Sequence, residues 1–155
     1  MWRLLSTWRK RWRCCKMKLT EPRPVARVIP IESDVDIVEA RMASRSLAKY
    51  IGFDGADQVM IATAVSEVAR NIIEYAKSGK VVLSVVQDRS RRGLEVVARD
   101  EGPGIADIPQ AMTDGFSTSR GLGLGLPGSK RLMDEFLLES KVRQGTTVTM
   151  RKWLR

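Results

Sequence analysis

A chain of 155 residues, 29% charged and 43% hydrophobic, is long enough for one domain with a core of its own. It contains no histidine, which excludes a Ser-His-Asp triad, a His-based metal site and a phosphohistidine intermediate on this chain. No apolar run approaches the roughly 18 residues of a membrane span, and the only two cysteines, Cys14 and Cys15, are adjacent, which points to a reducing cytoplasm rather than a disulfide framework.

The formal charge of +9 is unevenly placed. Seven of the 27 basic residues lie in 1–18 with no acidic residue among them, so the rest of the chain carries 20 basic against 18 acidic. That near balance argues against a nucleic-acid-binding face on the globular part. Residues 1–20 form a basic extension in which Trp2, Trp8 and Trp12 alternate with Arg and Lys. Such a segment suits an anionic membrane surface, a nucleic acid held by stacking and charge, or a disordered tail ahead of the in-frame Met17. The disordered tail is the reading adopted. No apolar h-region follows the charges, so a secretory signal is not expected.

The domain is expected over 25–154. VARVIPI (25–31) reads as a short strand ending near Pro30, and Ser33 or Asp34 can cap a helix over about 34–51. Val35, Val38, Met42, Leu47 and Ile51 keep helical spacing along it, and Gly52 stops it. A second helix opens at Asp54 or Asp57 and runs to Lys77. Its Ile61, Val65, Val68, Ile72 and Tyr75 recur at alternating steps of four and three, the mark of one buried stripe. KVVLSVVQ (80–87) and LEVVARD (94–100) read as a hairpin around a polar turn. Residues 101–124 are a glycine-rich loop of a length that is usually functional. A third helix is expected from Leu126 to Phe136, then strands over 137–143 and 146–154 with a turn at Gln144-Gly145. The order implies an α/β two-layer sandwich, a mixed β-sheet with its helices on one face.

Three segments carry candidate chemistry. Glu67 and Asn71 are four apart and project from one side of the second helix, at the edge of the core. An Asn there can give a neutral oxygen to Mg²⁺, and a Glu can orient or deprotonate an attacking hydroxyl. The pair also fits a solvated helix face, with Glu67 bound to Arg70 or Lys77. Asp100-Glu101-Gly102-Pro103-Gly104-Ile105 follows a strand directly. Asp100 can accept from an exocyclic amine such as that of adenine, while Gly102 and Gly104 permit a ring to approach the backbone. The same residues also make an ordinary turn. Gly121-Leu122-Gly123-Leu124-Gly125-Leu126 opens the third helix, where free amides and the helix dipole favour phosphate oxygens. It lacks the ending of a Walker A loop and does not follow a strand. On its own it fits a flexible loop.

Together, in this order and spacing, the three segments resemble the N, G1 and G2 boxes of the GHKL (Bergerat-fold) ATPase/kinase superfamily. The resemblance covers about 25–154. EVARNIIEYA (67–76), GFSTSRGLGLGLPGSKRLMDEF (115–136) and GTTVTMRKW (145–153) are most similar to the RsbT-type serine/threonine kinases of bacterial partner-switching systems. The resemblance implies Glu67 as the catalytic carboxylate and Asn71 as the Mg²⁺ ligand. It places Asp100 on the adenine amine with Gly102, Gly104 and Ile105 beside the ring. Gly121 to Leu126 would lie on the phosphates, and Thr146 behind the adenine. Residues 105–120 would be a short ATP lid.

The implied activity is ATP- and Mg²⁺-dependent phosphorylation of a hydroxyl on a STAS-domain partner. The kinase would be released by that step and would then activate a phosphatase of the PP2C type. The alternative is an anti-sigma factor that sequesters a sigma factor and phosphorylates its STAS antagonist. Related anti-sigma kinases carry His-Ala-Tyr after the Asn, where this chain has Glu74-Tyr75-Ala76, which favours the switch kinase. The sequence leaves open whether the chain forms a homodimer.

Overall fold

A computed structural model describes residues 26–113 and 125–155. The basic extension, and with it the expectation for residues 1–20, lies outside them. Nine helices and strands and one π turn follow in chain order among the described residues: β1 (Arg27–Ile31), α1 (Asp34–Ile51), α2 (Gly55–Asn71), the π turn Ile72–Ala76, β2 (Gly79–Asp88), β3 (Arg91–Asp100), α3 (Ile108–Ala111), α4 (Gly125–Leu132), β4 (Glu135–Lys141) and β5 (Gly145–Trp153). No described helix is long and apolar enough to cross a membrane.

The strands form one sheet in the order β1-β2-β3-β5-β4. The two-layer α/β arrangement is the expected one, but every pairing is antiparallel, which corrects the mixed sheet. A crossover from β3 through α4 to β4 suggests a parallel pair, and β3 and β4 do run in the same direction. The hairpin partner β5 inserts between them, so no parallel pair is hydrogen-bonded. Alternation along the strands builds the core face. Ile29, Val81, Ala98, Val148 and Leu138 form one row of cross-strand partners, and Leu83, Val96, Met150 and Phe136 form the next.

The two long helices cover this face in different ways. Asp54 caps α2 by accepting from Asp57 N–H at 2.8 Å, and Ile61, Val65, Val68 and Ile72 are buried as the stripe requires. Tyr75 is not part of that stripe. The helix widens into the π turn after Asn71, and the i→i+5 pattern changes the angular step between residues. Tyr75 is thereby carried out of the buried phase and is 53% exposed. In α1 the carboxylate of Asp36 accepts from Glu32 N–H at 2.9 Å, from Ser33 Oγ at 2.9 Å and from Ser33 N–H at 2.8 Å, and these bonds hold its pKa below the ordinary carboxylate value. The helix ends on Gly52 at φ 112°. The face it buries is made of Ile37, Ala40, Ala43, Ser44, Ala48 and Ile51, while Val35, Val38 and Met42 are exposed.

The third helix stops at Leu132, four residues before the expected Phe136. Lys152 explains the stop. Its buried Nζ donates to Leu132 O at 3.0 Å and lies 3.5 Å from Asp134 and 3.6 Å from Asp57. Asp134 N–H then donates to Arg151 O, Trp153 N–H to Asp134 Oδ2 at 2.8 Å and Trp153 Nε1 to Glu135 Oε1 at 2.7 Å. Glu135 and Phe136 therefore belong to β4. The last turn also falls slightly earlier than expected, over 142–144, because Lys141 pairs with Gly145.

Candidate active site

A cleft of about 260 Å³ opens between the sheet and the helix layer. Val68, Asn71, Ile72 and Tyr75 form one wall, and Ala98, Asp100, Thr146 and Val148 come from the sheet. Pro103, Gly104 and Ile105 follow β3 along the rim, and Gly125, Leu126 and Pro127 bring in the start of α4. Mostly apolar walls with a few convergent polar groups are the usual constitution of a small-molecule site.

One end of the cleft is held by a hydrogen-bonded clasp between the loop after β3 and the β4–β5 hairpin. Asp100 Oδ1 accepts from Gly102 N–H at 2.8 Å and from Thr146 N–H at 3.3 Å. Its other oxygen has no hydrogen-bond donor among the described residues. Arg143 N–H donates to Pro103 O at 2.7 Å, and Ile105 N–H donates to Ser140 Oγ at 2.8 Å. Ser140 Oγ in turn lies 2.8 Å from Thr146 Oγ1 and 3.2 Å from Gly145 O. The glycines serve this clasp. Gly104 has φ +72°, and a Cβ on it would run into the carbonyl of Lys141; a Cβ on Gly102 would come within 2.5 Å of Ala76 Cβ. Their demand for glycine therefore arises from protein packing against protein.

At the other end, Asn71 closes α2 and lines the cleft, and its side chain takes no hydrogen bond from the described residues. Glu67 lies one turn earlier, but it is not at an open edge. It is 4% exposed, and its Oε2 accepts from Gly125 N–H, the first amide of α4, at 3.3 Å. The expected alternative partners, Arg70 and Lys77, do not form an ion pair with it. The contact between Glu67 and Gly125 ties α2 to α4, and Ser129 Oγ donating to Gly125 O at 3.0 Å secures the same turn.

The histidine kinase-like ATPase domain family matches residues 31–152. The chain belongs to that family. It is 53% identical over 127 residues to the serine/threonine-protein kinase RsbT of Bacillus subtilis (strain 168), spanning 82% of this chain and 96% of that one. It is 39% identical over 99 residues to the anti-sigma F factor of Geobacillus thermodenitrificans (strain NG80-2), spanning 59% of this chain and 66% of the relative. Among solved structures, the mycobacterial sensor histidine kinase MprB aligns at 17% identity with a TM-score of 0.49, over 83% of this chain and 97% of that one. Within its family the chain is thus an RsbT-like member of the serine/threonine-kinase type.

For this ATPase-family domain, the structure brings Asn71, Asp100, Gly104, Ile105, Gly125, Leu126 and Thr146 to one cleft. Glu67 stands behind the wall at the Gly125 amide, and Gly102 packs on Ala76 beneath the loop. Gly121, Leu122, Gly123 and Leu124 lie outside the described residues, as do residues 114–120 of the expected lid. The part of the lid that is described contains α3, capped by Asp107 accepting from Gln110 N–H at 2.9 Å. Sequence spacing puts Tyr75 in the core and gives Ser140 no role; the π turn brings the first to the cleft, and the hairpin register sets the second beside Thr146. The apolar lining of Val68, Ile72, Ala98 and Val148 reads in the sequence as plain core.

Proposed function

We propose that this domain is an ATP-dependent protein serine/threonine kinase acting on a hydroxyl of a STAS-domain partner in a partner-switching system. The observation that carries this reading is the convergence of Asn71, Asp100 and the start of α4 on a single cleft. Asp100 presents its unpaired oxygen to the exocyclic amine of adenine. The apolar walls from Val68, Ile72, Ala98 and Val148 take the ring. At the start of α4 the Leu126 amide would take a phosphate oxygen, since Gly125 N–H is held by Glu67 and Pro127 has no N–H. Asn71 would hold Mg²⁺ through its amide oxygen, a neutral hard donor of the type this ion accepts beside phosphate and water. Among the described residues, no group of three or more His, Cys, Asp or Glu gathers to hold a metal. Most ligands of an ion here would therefore come from phosphate and water. When bound, it neutralises phosphate charge.

In the reaction, the acceptor hydroxyl oxygen forms a bond to the γ-phosphorus, the bond to the bridging β–γ oxygen breaks, and ADP departs. Glu67 takes the hydroxyl proton. Burial and the Gly125 amide hold its carboxylate in one orientation, so the group is preorganised. In this reading phosphorylation releases the kinase from its STAS scaffold, and the free kinase activates a phosphatase of the PP2C type. The likeness to RsbT along 96% of that protein supports the switch kinase over the sigma-factor binder, whose relative is matched along 66%.

The test is incubation with labelled ATP, Mg²⁺ and a panel of STAS proteins, together with a pull-down against STAS and sigma-factor candidates. Transfer of label to a STAS serine or threonine, with capture of the STAS protein, is the expected result. Capture of a sigma factor alone would replace the switch-kinase reading with the anti-sigma one.

A further inference from the structure

The hydroxyl of Ser140 is the hub of the clasp at the Asp100 end of the cleft. It does not line the cleft itself, yet it touches Ile105, Gly145 and Thr146. A serine hydroxyl has one proton to give and two lone pairs to receive. Ile105 N–H occupies one lone pair at 2.8 Å, and the carbonyl of Gly145 at 3.2 Å can only accept. If the single proton of Ser140 goes to Gly145 O, the 2.8 Å contact to Thr146 is a hydrogen bond only when Thr146 donates. In the opposite arrangement Ser140 donates to Thr146, and the Gly145 carbonyl faces a lone pair. The first arrangement makes all three contacts hydrogen bonds.

We propose that Ser140 is a positioning residue that draws the hydroxyl proton of Thr146 away from the cleft and so sets a preference for 6-aminopurine over 6-oxopurine nucleotides. This rests on the ATP reading of the cleft. With its proton committed to Ser140, Thr146 Oγ1 shows only lone pairs to the cleft. Beside it, Asp100 Oδ1 is engaged by Gly102 and Thr146 N–H, and Oδ2 is again an acceptor. This end of the site is therefore acceptor-only. An exocyclic amine donates to it, whereas a carbonyl oxygen at the same ring position meets lone pairs on both sides. A buried acceptor left facing another acceptor loses its hydrogen bond and its hydration together. The serine acts through Thr146 and touches no ligand.

The experiment compares ATP with ITP, which differ in the group on ring position six and in N1 (an acceptor in adenine, an N–H donor in hypoxanthine). Both dissociation constants are measured for the full chain and its Ser140 variants, so that the change in their ratio between wild type and variant reports Ser140 alone. Wild type is expected to favour ATP. In Ser140→Ala the Thr146 proton is free to turn into the cleft and meet the 6-oxo group, so the ITP/ATP ratio of dissociation constants should fall about tenfold. Loss of the Ile105 anchor weakens both nucleotides alike and cancels in the ratio. Ser140→Thr keeps the hydroxyl and should keep the wild-type ratio. In a Thr146→Val background, Ser140→Ala should no longer change it. If Ser140→Ala does not fold, Ser140→Cys, a weaker acceptor and donor, should shift the ratio in the same direction. A wild type that prefers ATP and a folded variant with an unchanged ratio would overturn this role alone. A wild type that binds neither nucleotide would overturn the ATP reading beneath it.

Discussion

Helices α1 and α2 lie in one layer over one sheet, yet they obey different rules of burial. In α2 the large aliphatic residues Ile61, Val65 and Val68 turn inward, and Glu67 and Asn71 follow on the adjoining side. In α1 much of the inward face is small, with Ala40, Ala43, Ser44 and Ala48, while Val35, Val38 and Met42 point outward. Small residues let a helix approach its neighbours closely, and the contact then forms without large side chains. Hydropathy read at helical spacing picks out the buried face in α2 but mixes faces in α1, where Ile51 is buried and Leu47 packs on the core while Val35, Val38 and Met42 point outward. A stripe of large apolar residues is therefore evidence of a helix, and only the packing partner decides which side of it is core.

The contrast can be broken by substitution. The largest effect is expected from Glu67→Gln, which preserves shape and an acceptor for the Gly125 amide but removes the base. Turnover with a phosphorylatable partner should fall by about 10²–10⁴-fold while ATP affinity stays within a few-fold. Parallel loss of turnover and affinity would instead make Glu67 a structural tie between α2 and α4.

Ile61→Ala empties a buried position on the same helix. Chemical denaturation should show a loss of about 2–5 kcal/mol. A loss under about 1 kcal/mol would mean the α2 stripe can collapse around the gap. Asn71→Ala should weaken Mg-ATP by roughly tenfold in direct titration, with unfolding unchanged, because its side chain has no hydrogen-bond partner among the described residues. On α1, Met42→Ser should move stability by less than about 0.5 kcal/mol and leave nucleotide binding alone. A larger destabilisation would show that the outward stripe of α1 is covered in solution.

Much of the site was legible before the fold. Glu67 and Asn71 alone also fit a solvated helix face, and Asp100 before two glycines an ordinary turn; the order of the three segments and their resemblance to a known family singled them out. Other features were hidden for definite reasons. The exposure of Tyr75 depends on a π turn after Asn71, and no proline or glycine in Ile72–Ala76 marks it. The early end of α4 depends on Lys152, which lies twenty residues from the carbonyl it caps. The burial of Glu67 depends on an amide 58 residues away. Ser140 looks like one more polar residue of an alternating strand until β4 pairs with β5 and sets it opposite Thr146.

Local chemistry in the chain by itself determined the two long capped helices, the hairpins and the order of the three site segments. These follow from side-chain period, capping groups and turn residues, which act over a few positions. Tertiary structure alone decided which face of α1 is core, where α4 stops, that β5 enters between β3 and β4, and how the Asp100 clasp closes. Each of those outcomes is a contact between residues far apart in sequence. Its energy exists only once both partners have been brought together and removed from water.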